Sequence, residues 1–159
     1  MVYSFDADTF IASWKVYYRP SSFPGLWDCV ARLIDTDDLK CAEPVYDEIQ
    51  RGDDELSRWI KSRQDQVVYP WDVKIQRAIL RIQGHPNPWY SQLVNPNGES
   101  GADPWVIALA LVSGATVVTF ETKAGTNAKR PKIPNVCEEF GVDCVSFFEV
   151  IAREQWEFS

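Results

Sequence analysis

GADPWVIALALVSGATVVTFE, residues 101–121, is the stretch whose reading decides the fold. Asp103 suits the cap of a helix and Pro104 its first turn, while Gly114 suits its end. Between them run Trp105, Val106, Ile107, Ala108, Leu109, Ala110, Leu111 and Val112. A helix apolar on nearly every side is buried on most sides. Thr116–Phe120 follows at once, β-branched and without charge, as expected of a central strand in a parallel sheet. A buried helix leading straight into a buried strand is the signature of an α/β fold.

Outward from this unit the same alternation recurs. Val2–Phe5 is a short apolar run ended by Asp6 and reads as a strand. Phe23–Ile34 carries Leu26, Val30, Leu33 and Ile34 at helical spacing. Leu39–Ala42 reads as a second strand, followed by a short helix that Pro44 opens and Gly52 closes. Asp53–Arg63 and Asp72–Ile82 are further helices. Gly84–Ser100, with three prolines, three asparagines and two glycines, reads as one long irregular loop, of the kind that is usually functional. Val142–Phe147 is a strand candidate and Phe148–Glu154 a closing helix. Strands separated by helices predict a central, mostly parallel sheet flanked by helices in three layers.

The chain has 159 residues, 45% of them hydrophobic, which suits one domain over 1–159 and excludes disorder. No run approaches the roughly 20 apolar residues of a membrane span. Met1–Phe10 contains Asp6 and Asp8 and no basic residue, unlike a secretory leader, so a cytoplasmic location is expected. Cys29, Cys41, Cys137 and Cys144 lie in apolar segments without C-x-x-C spacing, and with His85 the sole histidine they read as reduced core residues rather than a zinc site. The net charge of −7 runs against phosphate binding, but Lys123, Lys129, Arg130 and Lys132 cluster without an intervening acid, and Lys74, Arg77 and Arg81 form another run. Taken alone, either cluster is better explained as solvated surface.

Open α/β sheets bind ligands at the carboxyl ends of their strands. Asp6 and Asp8 follow the first strand, Glu121 follows the Thr116–Phe120 strand with Thr119 one step inside, Asp103 opens the buried helix, and Glu48 lies on the helix after the second strand. Carboxylates drawn together from distant segments repel one another and persist when a hard cation compensates. An all-oxygen set selects Mg²⁺ or Mn²⁺, which acidify bound water and neutralise charge at a phosphate. Plainer assignments stand beside this one: Asp103 as a helix cap, Glu48 as a solvated helix residue, Glu121 as a loop acid and Thr119 as an ordinary strand residue. Asp6 is the hardest to explain otherwise, because a charge at the end of a core strand is costly without a partner.

An Asp after the first strand, an acid on an early helix, an Asp opening an apolar helix and Thr-x-acid after the next strand resemble the PIN domain, the fold of many toxin ribonucleases in toxin–antitoxin pairs. FPGLWD, VYDEI-x-x-GDDEL, GADPW-x-IA, GATVVTFE and KIPNVCEEFGVDC, spanning about Phe23 to Phe148, resemble an uncharacterised PIN-like subfamily. The resemblance implies that Asp6, Glu48, Asp103 and Glu121 are catalytic metal ligands supported by Thr119 and Asp8, with Mg²⁺ or Mn²⁺ as cofactor and an RNA substrate. It also implies an antitoxin partner and a homodimer. Lys123, Lys129, Arg130 and Lys132 are then candidates for the RNA backbone track, with Trp89 and Tyr90 for base stacking. Two positions depart from the usual pattern. Asp6-Ala7-Asp8 replaces Asp-Thr/Ser-Asn, and Glu121 replaces an aspartate. They leave room for a non-catalytic PIN-like binding module. A haloacid-dehalogenase-like phosphatase with Asp6 as nucleophile also starts from a strand and Asp-x-Asp, but Thr9 falls one position early and no late paired aspartates follow.

Overall fold

The computed structural model describes residues 1–94 and 101–158. In chain order the elements are β1 (Tyr3–Phe5), α1 (Ala7–Ala12), a π-helix (Ser13–Tyr17), α2 (Pro24–Asp35), β2 (Leu39–Ala42), α3 (Glu43–Gln50), α4 (Glu55–Lys61), α5 (Gln64–Val67) and β3 (Val68–Tyr69). There follow α6 (Val73–Gln83), α7 (Pro88–Ser91), α8 (Asp103–Ser113), β4 (Thr116–Val118), α9 (Ile133–Glu139), β5 (Cys144–Val145) and α10 (Phe147–Arg153). The five strands form one sheet in the order β3-β2-β1-β4-β5, and every pairing is parallel. No described helix is long and apolar enough to cross a membrane.

The alternation of side chains along β1 shows how the layers attach. Ser4 faces α8, where its hydroxyl donates to the Val106 carbonyl at 2.9 Å. Tyr3 and Phe5 face the other way. The Tyr3 hydroxyl donates to Glu154 Oε1 at 2.7 Å, and Phe5 meets Phe147 of α10 edge-on at 5.5 Å. On the first face α8 lies over β1, β2 and β4, with α3, α6 and α9 against it. Val106, Ile107, Ala108 and Leu109 are fully buried there, as an all-apolar helix requires.

Several expectations need correction. The long loop 84–100 contains α7, whose Asn87 side chain caps the Trp89 N–H at 3.0 Å, and positions 95–100 lie outside the described residues. Asp103 does not cap α8. Ala102 occupies the cap position, and Asp103 is the first helical residue, its side chain making no cap bond. β4 stops at Val118 because its neighbour β1 ends where the chain turns into α1. The strand expected over Val142–Phe147 keeps only Cys144–Val145, since Ser146 caps α10 by accepting the Glu149 N–H at 3.2 Å. The four cysteines are free, but only Cys41 and Cys137 are buried, while Cys29 and Cys144 are partly exposed. Elements α1, the π-helix, α5, β3 and α9 had no clear signal. They are short, and the aromatic and β-branched residues of 9–18 blur a helical period.

Candidate functional site

The strand order puts β1 beside β4, and from that pair the chain builds outward in opposite directions, through β2 and β3 on one side and β5 on the other. The carboxyl ends at such a reversal splay apart and leave a crevice. Asp6 stands there as the residue before α1, 5% exposed, its N–H donating to the Val118 carbonyl at 3.0 Å. Thr119, 3% exposed, donates its hydroxyl to Asp6 Oδ2 at 3.0 Å and accepts the Glu121 N–H at 3.1 Å. One hydroxyl thereby joins the ends of the two central strands. Asp103 enters from the first turn of α8.

Electrostatics shows which acids converge. Burial pushes the Asp6 carboxyl up to about 6, against the lowering effect of the Thr119 hydrogen bond, and the Glu121 and Asp8 charges push the same way. Burial likewise lifts Asp103 to about 8, helped in turn by the charges of Glu121, Asp6 and Glu48 and opposed by Lys132. Shifts of this size from desolvation plus like charges mark functional clefts. Four segments, β1–α1, α3, α8 and the chain after β4, contribute negative charge to one place.

Their placement is uneven. Glu121 turns toward α9, where its Oε2 accepts the Ile133 N–H at 2.9 Å. Glu48 is exposed on α3 and acts on Asp103 through its charge. Asp8 is exposed in the first turn of α1 and contributes repulsion at Asp6. Among the described residues, no three His, Cys, Asp or Glu side chains stand close enough, as placed, to enclose a metal ion. The donor chemistry nonetheless fits a hard divalent cation: one buried and two half-buried carboxylates, mutually repelled, with Lys132 opposing the Asp103 charge.

The basic cluster divides. Lys129, Arg130 and Lys132 line a cavity of about 390 Å³ whose other wall includes Asp103 and Glu121. Lys123 lines instead a second cavity, of about 320 Å³, with Thr119 and Glu121, and pairs with Glu138 on the exposed surface. Trp89 is half-buried. Its indole N–H donates to the Ala128 carbonyl at 2.8 Å, and its ring meets Tyr90 at 5.1 Å, which in turn packs on His85. His85 itself bonds Glu139 at 2.9 Å, away from the acids.

Two residues that hold this site were not singled out in the sequence. Thr9 is buried and donates its hydroxyl to the Val118 carbonyl at 2.9 Å, fastening α1 to the end of β4. Asn135 accepts the Ala124 and Lys132 N–H groups at 2.8 and 2.9 Å and donates to the Ala124 carbonyl at 3.1 Å, closing the basic loop. The only cue to either is turn chemistry: Thr9 three residues past Asp6, and Asn135 three past Lys132.

A family described as "Domain of unknown function (DUF4411)" matches residues 3–158. The chain belongs to this family. No curated protein matches it in sequence. Among solved structures, the family member resembles a chain in the crystal structure of VapBC2 from Rickettsia felis bound to a DNA fragment from their promoter. That likeness has 12% identity and a TM-score of 0.52, over 92% of this chain and 99% of that one. It also resembles a chain in the structure of VapBC-1 from nontypeable Haemophilus influenzae, at 16% identity and a TM-score of 0.52, over 91% of this chain and 96% of that one. At these identities the likeness is one of fold, and the five parallel strands flanked by helices are the PIN-like α/β fold.

Proposed function

We propose that this member of the family is a Mg²⁺- or Mn²⁺-dependent endoribonuclease, acting as the toxin of a toxin–antitoxin pair. The observation that carries the reading is that buried Asp6 and half-buried Asp103, at the end of β1 and the start of α8, both have raised carboxyls, with Glu121 adding its charge to each and Glu48 adding to Asp103. The likeness in fold to chains of two VapBC complexes supports the toxin reading and an antitoxin partner. We include the homodimer and the cytoplasmic location in the proposal as the family resemblance implies them.

Asp6, Asp103, Glu121 and Glu48 are the residues that would hold the ion. When bound, a divalent ion supplies an acidified water and charge neutralisation at the phosphorus. The protein's own residues set the conditions. Asp103, lifted to about 8, holds its proton at neutrality while Asp6, at about 6, is mostly ionised, so the site takes up a cation in exchange for a proton. Thr119 orients the Asp6 carboxylate and ties it to the segment carrying Glu121. Lys132, which already opposes the Asp103 charge, stands with Lys129 and Arg130 to take the non-bridging phosphate oxygens of the strand in the adjoining cavity.

The decisive measurement is cleavage of defined single-stranded RNAs in Mg²⁺ and in Mn²⁺ by the parent chain and by Asp6→Asn. Cleavage by the parent and its loss in the variant is the expected pair of results. Equal cutting by both proteins removes Asp6 from the reaction. RNA or partner binding by a parent chain that cuts nothing in Mn²⁺ replaces the nuclease with a non-catalytic module.

A further inference from the structure

Beside the carboxylates lies an aromatic surface that the reaction above does not use. Phe120 sits between Thr119, which holds Asp6, and Glu121, and its ring packs on Tyr17 with centroids 5.2 Å apart and planes inclined by 42°. Tyr17 is 58% exposed and its neighbour Val16 61% exposed. Both belong to the π-helix, whose Tyr18 N–H reaches back five residues to the Ser13 carbonyl at 2.7 Å. Phe120 and Glu121 also line a cavity of about 320 Å³, with Pro134 and Val145 along its walls.

The π-helix is held firmly. Trp14 meets Trp27 at 4.7 Å and Trp59 at 5.5 Å. Lys15 pairs with Asp54 at 2.9 Å, and Tyr18 packs against Phe23 and Phe147 at 5.6 Å each. Among the described residues the Ser13 hydroxyl, at the start of this turn, is buried and meets no hydrogen-bond partner. Single π-turns of this kind are costly and collect at functional sites. With Trp14 and Tyr18 packed inward and Lys15 tied to Asp54 at the surface, Val16 and Tyr17 are left facing solvent. A rigid aromatic ring presented in this way loses little entropy when something stacks on it.

We propose that Tyr17 and Phe120 form a stacking platform for the unpaired base of the nucleotide next to the scissile phosphate, and so select single-stranded RNA. The inference rests on the nuclease reading. Thr119, which holds Asp6, and Phe120 line one cavity, so a phosphate bound at Asp6 has its flanking base within reach of this ledge. The adjoining cavity offers Lys129 and Lys132 to the backbone of the same strand. Aromatic faces accept any base, but only one that is not enclosed in a duplex. Tyr17 is the positioning residue that can be tested without disturbing the acids.

The test uses full-length chain carrying Asp6→Asn, so that RNA stays intact. The probe is a single-stranded RNA with 2-aminopurine along its length, and its duplex is the control. Tyr17→Ala is expected to weaken single-strand affinity about tenfold and to abolish the quenching of the probe. Tyr17→Phe is expected to retain both, and duplex affinity to change less than twofold. Unchanged affinity in Tyr17→Ala, or equal losses on single strand and duplex, overturns the platform. So does a change in sedimentation with RNA affinity unchanged, which assigns the ledge to a second copy of the chain. A parent chain that cuts no RNA, while Tyr17-dependent quenching persists, overturns the nuclease reading alone. A chain that binds no RNA overturns both.

Discussion

Among the described residues two groups of acids, one at the sheet edge and one at the ends of the central strands, differ in what surrounds them. At the sheet edge Glu43, Asp47 and Asp65 line a cavity of about 310 Å³ with Tyr46 and Gln64. All three acids are exposed, and Glu43 accepts the Trp71 N–H at 3.1 Å. At the junction of β1 and β4 the acids come from four distant segments, and Asp6 is 5% exposed. Helix α3 serves both places: Glu43 and Asp47 share one side of it, while Glu48, one residue on, directs its charge at Asp103. Counting carboxylates does not separate the two groups. Burial does, because water screens the charges at the edge and is excluded from the crevice, where the repulsion demands a counter-charge.

The comparison can be broken by exchanging carboxylates for amides in both places. The largest effect is expected on cleavage. Asp103→Asn should lower the rate on single-stranded RNA by at least about 100-fold, whereas Asp47→Asn should leave it within about twofold. A loss as large at Asp47 would erase the distinction. Next comes cation binding: Mn²⁺ at about 100 times its Kd should raise the stability of the parent by about 2.7 kcal/mol in thermal melts. The same addition should do little for Asp6→Asn.

Stability against pH sharpens the contrast further. Asp6 at about 6 and Asp103 at about 8 both lie above the ordinary value of 3.8, so the folded chain holds these protons more tightly than the unfolded chain. Their contribution is fully present below about pH 4 and is lost as the pH rises, first through 6 and then through 8. In chelator, the melting temperature should therefore fall from pH 5 to pH 9. Asp103→Asn should flatten the upper part of that fall, and at pH 9 it should be the more stable protein by roughly 2 kcal/mol, a figure discounted because Asp103 is partly exposed. Thr119→Val removes the donor to Asp6 and should cost about 1–2 kcal/mol while moving the lower limb of the pH–rate profile to higher pH. Smallest of all, Lys123→Ala breaks an exposed pair with Glu138 and should change stability by less than about 0.5 kcal/mol.

Much of this arrangement is legible in residue order. The apolar helix ending in Gly114 and the β-branched run after it are where the pattern places them, as are the strands at 3–5 and 39–42. Asp6, Asp103 and Glu121 each follow or open an element whose period is plain. The rest is hidden for local reasons. β3 and β5 have two residues each, too few for alternation to be seen. Asp103 looks like a cap because Asp before Pro usually is one, yet the helix starts one residue earlier and turns its side chain into the crevice. That Trp89 bonds the Ala128 carbonyl and Tyr90 packs on His85 is likewise invisible in a Pro- and Asn-rich loop, because both contacts are made to or within a tertiary neighbourhood rather than a period.

Periodicity and the placement of Gly, Pro and charge determined the α/β class, the order of its main elements and the acids at their ends, since each of these is a property of neighbouring residues. Only the tertiary structure decided that β1 lies beside β4, that Thr119 bonds Asp6 across 113 positions, and that Tyr17 meets Phe120 beside them. Those facts depend on which segments exclude water together, and burial shared between distant segments leaves no trace in the spacing of either one.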